Sequence, residues 1–154
     1  MRRFIYDLRP SPLADEPLSR QVERFVQDLQ TAYQIGVDFR WTEAPRAFSA
    51  EERLAVYRVA QEAMQNARKH ARADRIIVDA CVEPTDWVIR ISDTGVGFDP
   101  TAAALLADHW GMCGMRERAH LVGAVLTVDS RPGEGTTVTF RLPLYPPQRA
   151  AGRP

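Results

Sequence analysis

From Leu18 to Tyr33 the apolar residues Leu18, Val22, Phe25, Leu29 and Tyr33 recur every three or four positions, the spacing of one helical stripe. Pro17 can open that helix, and Gly36 follows its end. Val37 to Trp41 (VDFRW) then alternates and predicts a short strand. Ser49-Ala-Glu-Glu52 is a capping box, in which the Ser49 hydroxyl accepts from the Glu52 amide and the Glu52 carboxylate reaches back. The helix it opens is predicted to run to about Ala71, with Tyr57, Ala60, Met64, Ala67 and Ala71 on its buried side. RIIVDACVE and WVIRISD both alternate and are joined by PTD, which predicts an antiparallel hairpin. A loop from Gly95 to Trp110 is expected before a short helix, Met115 to Val122, closed by Gly123. AVLTVDS and TTVTFRLPL form a second strand pair around RPGEG. The sum is an α+β two-layer α/β sandwich, a mixed and mostly antiparallel sheet covered on one face by about three helices.

Composition narrows the class. The chain has 154 residues, 45% apolar and 26% charged, which suits one globular domain and excludes a disordered chain. No apolar run approaches the roughly 20 residues of a membrane span, and MRRFIYDLRP lacks the apolar core of a signal peptide. No membrane contact is expected of this segment. Twenty Lys and Arg balance twenty Asp and Glu; a nucleic-acid binder usually carries a basic excess, so no nucleic-acid partner is expected. Cys81 and Cys113 are too few for a disulfide framework and lack zinc-site spacing. A cytoplasmic, reducing compartment follows as the default. Cys81 is expected to pack as a small hydrophobe and Cys113 to be a loop thiol. Prolines gather at both ends, so residues 1–16 read as linker, 17–144 as the folded domain and 145–154 as a tail.

Four stretches can carry chemistry. At about 100° per residue, Glu62, Asn66 and Lys69 share one sector of the second long helix, with His70 at its edge. That face is either merely solvated or a site, in which the Asn66 amide oxygen ligates a hard cation such as magnesium and Lys69 and His70 touch phosphate oxygens. Asp93 ends an apolar strand and opens DTGVGF, where Gly95 and Gly97 can let backbone approach a ligand and the carboxylate can accept from an exocyclic amine, as on adenine. GMCGMRER places Gly111 and Gly114 before a helix whose free amides suit phosphate; Arg116 and Arg118 are phosphate contacts or surface charge. PGEGTT is a tight turn, after which the Thr136 hydroxyl can reach a bound base.

In this order the four stretches resemble the boxes of the GHKL nucleotide-binding superfamily of histidine-kinase catalytic domains, heat-shock chaperone ATPases, MutL-type ATPases and gyrase B subunits. EAMQNARKHA resembles the N box, and DTGVGF, GMCGM and GEGTT resemble the three glycine-containing boxes. NARKHA, HWGMCGMRER and the opening LRPSPL are most similar to the NarX- and DesK-like sensor kinases that pair with NarL-type response regulators. Asp99 to Trp110 is short where larger kinases have a long lid, and no phenylalanine box is evident.

The resemblance implies a Bergerat-type ATP-binding fold with ATP and Mg2+ as cofactors. It makes Asn66 the magnesium ligand and Asp93 the partner of the adenine amino group. Gly95, Gly97, Gly111, Gly114 and Met115 would approach ATP, Lys69 and His70 its phosphates, and Thr136 the adenine–water network. Glu62 and Asn66 take the catalytic positions. No phosphoacceptor histidine with a following acidic residue is present, so the expectation is a monomeric catalytic domain that does not phosphorylate itself. Its γ-phosphoryl group would pass to a histidine on a dimerisation domain outside this chain, and then to a NarL-type response regulator. A stand-alone anti-sigma-factor serine kinase and a nucleotide-binding pseudo-enzyme are the alternatives.

Overall fold

The computed structural model describes residues 16–103 and 110–145. Most of the expected linker, the tail beyond Tyr145 and His109 lie outside the described residues. Helix α1 (Leu18–Tyr33) leads to strand β1 (Gly36–Trp41), and helix α2 (Ala50–Lys69) to the hairpin of β2 (Arg75–Val82) and β3 (Asp86–Asp93). A single turn, α3 (Pro100–Ala103), precedes α4 (Trp110–Leu121), β4 (Val125–Arg131) and β5 (Gly135–Pro143). The five strands lie in the order β1-β2-β3-β5-β4. Only β1 and β2 pair in parallel, and α2 supplies the crossover that a parallel pair requires.

Strand alternation aims one set of side chains at the helices. Ile76, Val78 and Ala80 of β2, Trp87, Ile89 and Ile91 of β3, and Phe140 and Leu142 of β5 are all buried. They meet Leu18, Val22, Val26 and Leu29 of α1 and Val56, Val59, Ala60, Ala63, Met64 and Ala67 of α2. Met115 and Ala119 bring α4 onto the same core. This is the predicted sandwich, with three helices on one face of the sheet.

The connection from β1 to α2 closes one end of the core. The indole N–H of Trp87 donates to the Thr42 carbonyl at 2.8 Å, and Trp41 and Phe48 pack on its ring at centroid distances of 5.1 Å. The predicted capping box forms in full: the Glu52 amide donates to Ser49 Oγ at 3.1 Å and the Ser49 amide to the Glu52 carboxylate at 2.8 Å. Arg46 grips that carboxylate with two donors at 2.8 Å and ties it to the Pro143 carbonyl, also at 2.8 Å.

Several boundaries differ from the sequence reading. Gln34, not a glycine, takes the left-handed position that ends α1, with φ 54°. α2 stops at Lys69, and Ala71 is buried beyond it. α4 begins at Trp110 rather than Met115, so Gly111 and Gly114 lie inside the helix instead of before it. Gly111, without a side chain, lets α4 lie close to the Glu62 side chain of α2. The loop before it contains α3, whose first residue, Pro100, suits a helix start. Cys81 is not packed in the core. It lies half-buried on the opposite face of the sheet, accepting from Arg90 at 3.3 Å.

The capping box generates a stability prediction. Hydrogen bonds from Arg46, with a further one from the Ser49 amide, hold the Glu52 carboxyl below its ordinary value against the opposing effect of burial. A carboxyl depressed in the folded state stabilises fully above its unfolded value, near 4.5 here, and that contribution is lost as pH falls through the folded value. Glu52→Gln is therefore expected to destabilise the domain at pH 7 and progressively less as acid unfolding proceeds. Urea melts of both proteins from pH 7 down to about pH 2.5, which carries the series through the window below 4.5, check this; a difference that stays constant below that value would contradict it. Ser49→Ala should cost about 1 kcal/mol.

Candidate functional site

The β3–β5 register builds the floor of a cleft. Ile91 stands opposite Val138 and Asp93 opposite Thr136, so the pleat face that buries Ile89 and Ile91 delivers Asp93 at its end. Across from this floor, α2 presents Ala63 and Ala67, four residues apart on one side, and Ala71 follows just beyond its end. Alanines there leave room that longer side chains would fill. The resulting cleft encloses about 320 Å³, within the range of small-molecule sites.

Nine of the sequence-predicted residues line it: Glu62, Asn66, Lys69, His70, Asp93, Gly97, Gly111, Met115 and Thr136. The Glu62-to-His70 face is thus one wall of the cleft and not merely a solvated surface. Glu62 and Asn66 are half-buried, whereas Lys69 and His70 are exposed at the end of α2. Gly95 and Gly114 do not line the cleft. Gly95 packs on Ala71, and its amide donates to Asp93 Oδ1 at 2.8 Å. Gly114 gives space to the Arg118 guanidinium, 3.1 Å from where a Cβ would sit.

Asp93 is the polar group at the floor. Burial raises its pKa, opposed by hydrogen bonds from the backbone amides of Gly95 and Thr136. Both of those partners donate, so the ionised carboxylate turns only acceptor capacity to the cleft. Sequence reasoning missed the apolar walls, Ile91, Phe98, Met112, Val128 and Val138. The alternation Ile89, Ile91, Asp93 was the available signal for the first of them.

The loop after Asp93 is stitched to two neighbours. The Val96 amide donates to the Ala71 carbonyl at 2.8 Å, and the Gly133 amide to the Val96 carbonyl at 2.7 Å. Gly97 has φ 59°, and a Cβ there would lie closer than 3.0 Å to the carbonyl oxygens of Arg131 and Gly135. Only glycine satisfies both the dihedral and the contact. At the other wall, a Cβ on Gly111 would meet the Glu62 carboxylate, and Asn66 Nδ2 lies 3.6 Å from the same point. Glu62 and Asn66 therefore converge on the start of α4.

This arrangement suits a flat, amine-bearing ring over Asp93 and an anionic tail toward Asn66, Lys69 and His70. Among the described residues no three His, Cys, Asp or Glu side chains cluster as a metal site. A hard cation beside Asn66 would take its remaining oxygen ligands from an anionic ligand, which fits magnesium carried by a polyphosphate.

The close approaches predict unequal effects of adding a methyl group. A Cβ on Gly95 would lie closer than 3.0 Å to both the side chain and the carbonyl of Ala71, whereas one on Gly36 would sit 3.4 Å from its nearest neighbour. Gly95→Ala should cost about 1–3 kcal/mol of stability, and Gly36→Ala should be neutral or slightly stabilising. Thermal melts of the two variants check this; equal midpoints would contradict the packing of the loop on Ala71.

Known proteins share this sequence and fold. A profile of the family described as histidine kinase-, DNA gyrase B-, and HSP90-like ATPase matches residues 51–146. The signal transduction histidine-protein kinase/phosphatase DegS of Brevibacillus brevis is 33% identical over 144 residues, which cover 94% of this chain and 37% of that protein. The oxygen sensor histidine kinase NreB of Staphylococcus carnosus is 34% identical over 148 residues, covering 94% of this chain and 41% of that protein. The chain thus spans about two fifths of the length of these relatives. The fold matches the histidine kinase domain of the Erythrobacter litoralis EL346 blue-light activated histidine kinase with a TM-score of 0.70 at 20% identity, over 83% of this chain and 61% of that one. The ATP binding domain of PrrB from Mycobacterium tuberculosis gives 0.65 at 20% identity, over 82% of this chain and 93% of that one. With the profile spanning α2 to the end of β5, the elements that build the cleft, the chain belongs to the histidine kinase-, DNA gyrase B- and HSP90-like ATPase family.

Proposed function

We propose that the cleft binds ATP with magnesium and that the chain acts as the catalytic domain of a sensor histidine kinase. The observation that carries this reading is the juxtaposition of the Asp93 carboxylate at the floor with Glu62, Asn66, Lys69 and His70 along one wall. Asp93 accepts from the adenine amino group, with Thr136 beside it. Lys69 and His70 contact phosphate oxygens at the mouth. The Asn66 amide oxygen would hold magnesium, which would supply positive charge against the phosphates when bound. Gly111, free of a side chain beside Glu62 and Asn66, leaves room for the phosphates. Gly97 lets backbone reach the nucleotide. Gly95 and Gly114 act indirectly, one by fixing the Asp93 loop and the other by its place in α4. Met115 supplies apolar wall.

In the reaction, a nitrogen of the acceptor histidine attacks the γ-phosphorus, a P–N bond forms, and the bond to the bridging oxygen breaks to leave ADP. The residues named here position and neutralise the triphosphate. Glu62 is assigned the second catalytic position, because it converges with Asn66 on Gly111. The acceptor histidine lies on a dimerisation domain outside this chain. Of the histidines in the described residues, His70 sits on the cleft wall and His120 is exposed on α4. Similarity to two proteins named as histidine kinases favours histidine over serine as the acceptor. A NarL-type response regulator is the downstream partner, and the cytoplasm, which supplies ATP, the compartment. Among the described residues no helix is long and apolar enough to cross a membrane.

Two variants test this. Asp93→Asn is nearly isosteric but loses the charged acceptor, a hydrogen bond worth roughly 1.5–3 kcal/mol. Calorimetry should find ATP binding about tenfold to a hundredfold weaker in a folded variant, and unchanged affinity would remove Asp93 from the site. Asn66→Ala should bind ATP nearly as well as the parent in EDTA but gain little on adding magnesium. Mixed with a separate dimerisation domain and labelled ATP, it should label that domain's histidine far more slowly than the parent does. Equal magnesium responses, or label on histidine of the parent chain alone, would contradict the proposal.

A further inference from the structure

Ser130 of β4 stands outside the cleft lining, yet it occupies the end of a row that crosses three strands. Asp93 is the register partner of Thr136, and Thr136 is the register partner of Ser130. The Ser130 hydroxyl oxygen accepts from the Phe98 amide at 2.9 Å and the hydroxyl donates to the Gly135 carbonyl at 3.0 Å. It also lies 2.9 Å from Thr136 Oγ1. A serine hydroxyl has one proton and two lone pairs. Its proton is committed to Gly135 O, because a carbonyl can only accept, and one lone pair is committed to the Phe98 N–H. The contact with Thr136 must then be made by the Thr136 proton and the remaining Ser130 lone pair.

That assignment fixes what Thr136 offers on its other side. With its proton turned to Ser130, the Thr136 hydroxyl presents only lone pairs to the cleft. Beside it, Asp93 is likewise an acceptor, its carboxylate already taking the Gly95 and Thr136 amides. We infer that Ser130 is a positioning residue for base selection: it locks the Thr136 hydroxyl into an acceptor orientation, so that the cleft floor favours a base with an amino group and disfavours one with a carbonyl at the same place. This rests on the ATP reading of the cleft and adds the residue that sets its polarity. It also places a selectivity determinant on β4, behind the residues that touch the ligand.

The test is calorimetric titration of the full chain with ATP and with GTP. In Ser130→Ala the Thr136 hydroxyl loses its acceptor and can turn its proton into the cleft, toward a guanine oxygen. The ratio of ATP to GTP affinity should fall roughly threefold to tenfold, the size of one neutral hydrogen bond. Ser130→Thr, which keeps a hydroxyl, should restore the ratio. Thr136→Val should lower the ratio by itself, and adding Ser130→Ala to it should change the ratio no further. Ser130 also supports the Phe98 amide, and a purely structural role would weaken both nucleotides together. Equal loss for ATP and GTP in Ser130→Ala therefore overturns the inference. So does an unchanged ratio in folded Thr136→Val, a result that remains decisive if Ser130→Ala fails to fold. A parent chain that binds neither nucleotide would instead overturn the ATP reading itself, which separates the two failures.

Discussion

The pairing of Asp93 with Thr136 at the β3–β5 ladder is the constraint on which the cleft depends. A slip of one residue would send Asp93 to the opposite face of the sheet and bring its neighbours inward. The face that points inward is set by the core, because Trp87, Ile89 and Ile91 of β3 and Phe140 and Leu142 of β5 are buried beneath the helices and a one-residue slip would turn them outward. Hydrophobic burial thus fixes the position of a carboxylate that burial itself disfavours in the charged form. The amides of Gly95 and Thr136 offset part of that cost, leaving a group that gains when a ligand supplies further donors.

Around this floor the structure keeps space open by omission. Ala63 and Ala67 of α2, with Ala71 just beyond it, leave no bulk facing the strands, and Gly111 leaves α4 without a side chain where Glu62 and Asn66 converge. The loop from Asp93 to Phe98 is held by hydrogen bonds to Ala71, Ser130 and Gly133. It is therefore an organised wall, tied to Ala71 just after α2 on one side and to the β4–β5 turn on the other. The polar wall lies on a helix nucleated by a complete capping box and anchored by Arg46 to the last strand. Packing, capping and loop stitching converge on one geometry, and it is the geometry in which the charged groups face each other.

Much of this was legible in the sequence because it is carried by periodicity. The stripe from Leu18, the Ser49 box and the alternation of the hairpin strands each depend on local spacing, and each element appears where that spacing puts it. Glu62, Asn66 and Lys69 share a face because three and four residues make one helical turn. What stayed hidden depends on approach between distant segments. That Gly111 and Gly114 both lie within α4, against α2 and Arg118, is something no local signal encodes. Gly95 supports the site from behind, since its partner Ala71 lies on another element. Ser130 belongs to no glycine box and was invisible until β4 and β5 were brought into register. Cys81 reads as apolar by composition, but the strand's period of two turns it toward Arg90.

The central claim is that ATP occupies the cleft between α2 and the β3–β5 floor. Amide chemical-shift mapping of the isotopically labelled chain during titration with ATP and magnesium tests it most directly. The predicted result is a set of saturable shifts concentrated at Asn66, Asp93, Gly95, Gly97, Gly111 and Thr136, with little change in α1 or β1. Saturable shifts centred on another surface, or none at millimolar nucleotide, would contradict the account.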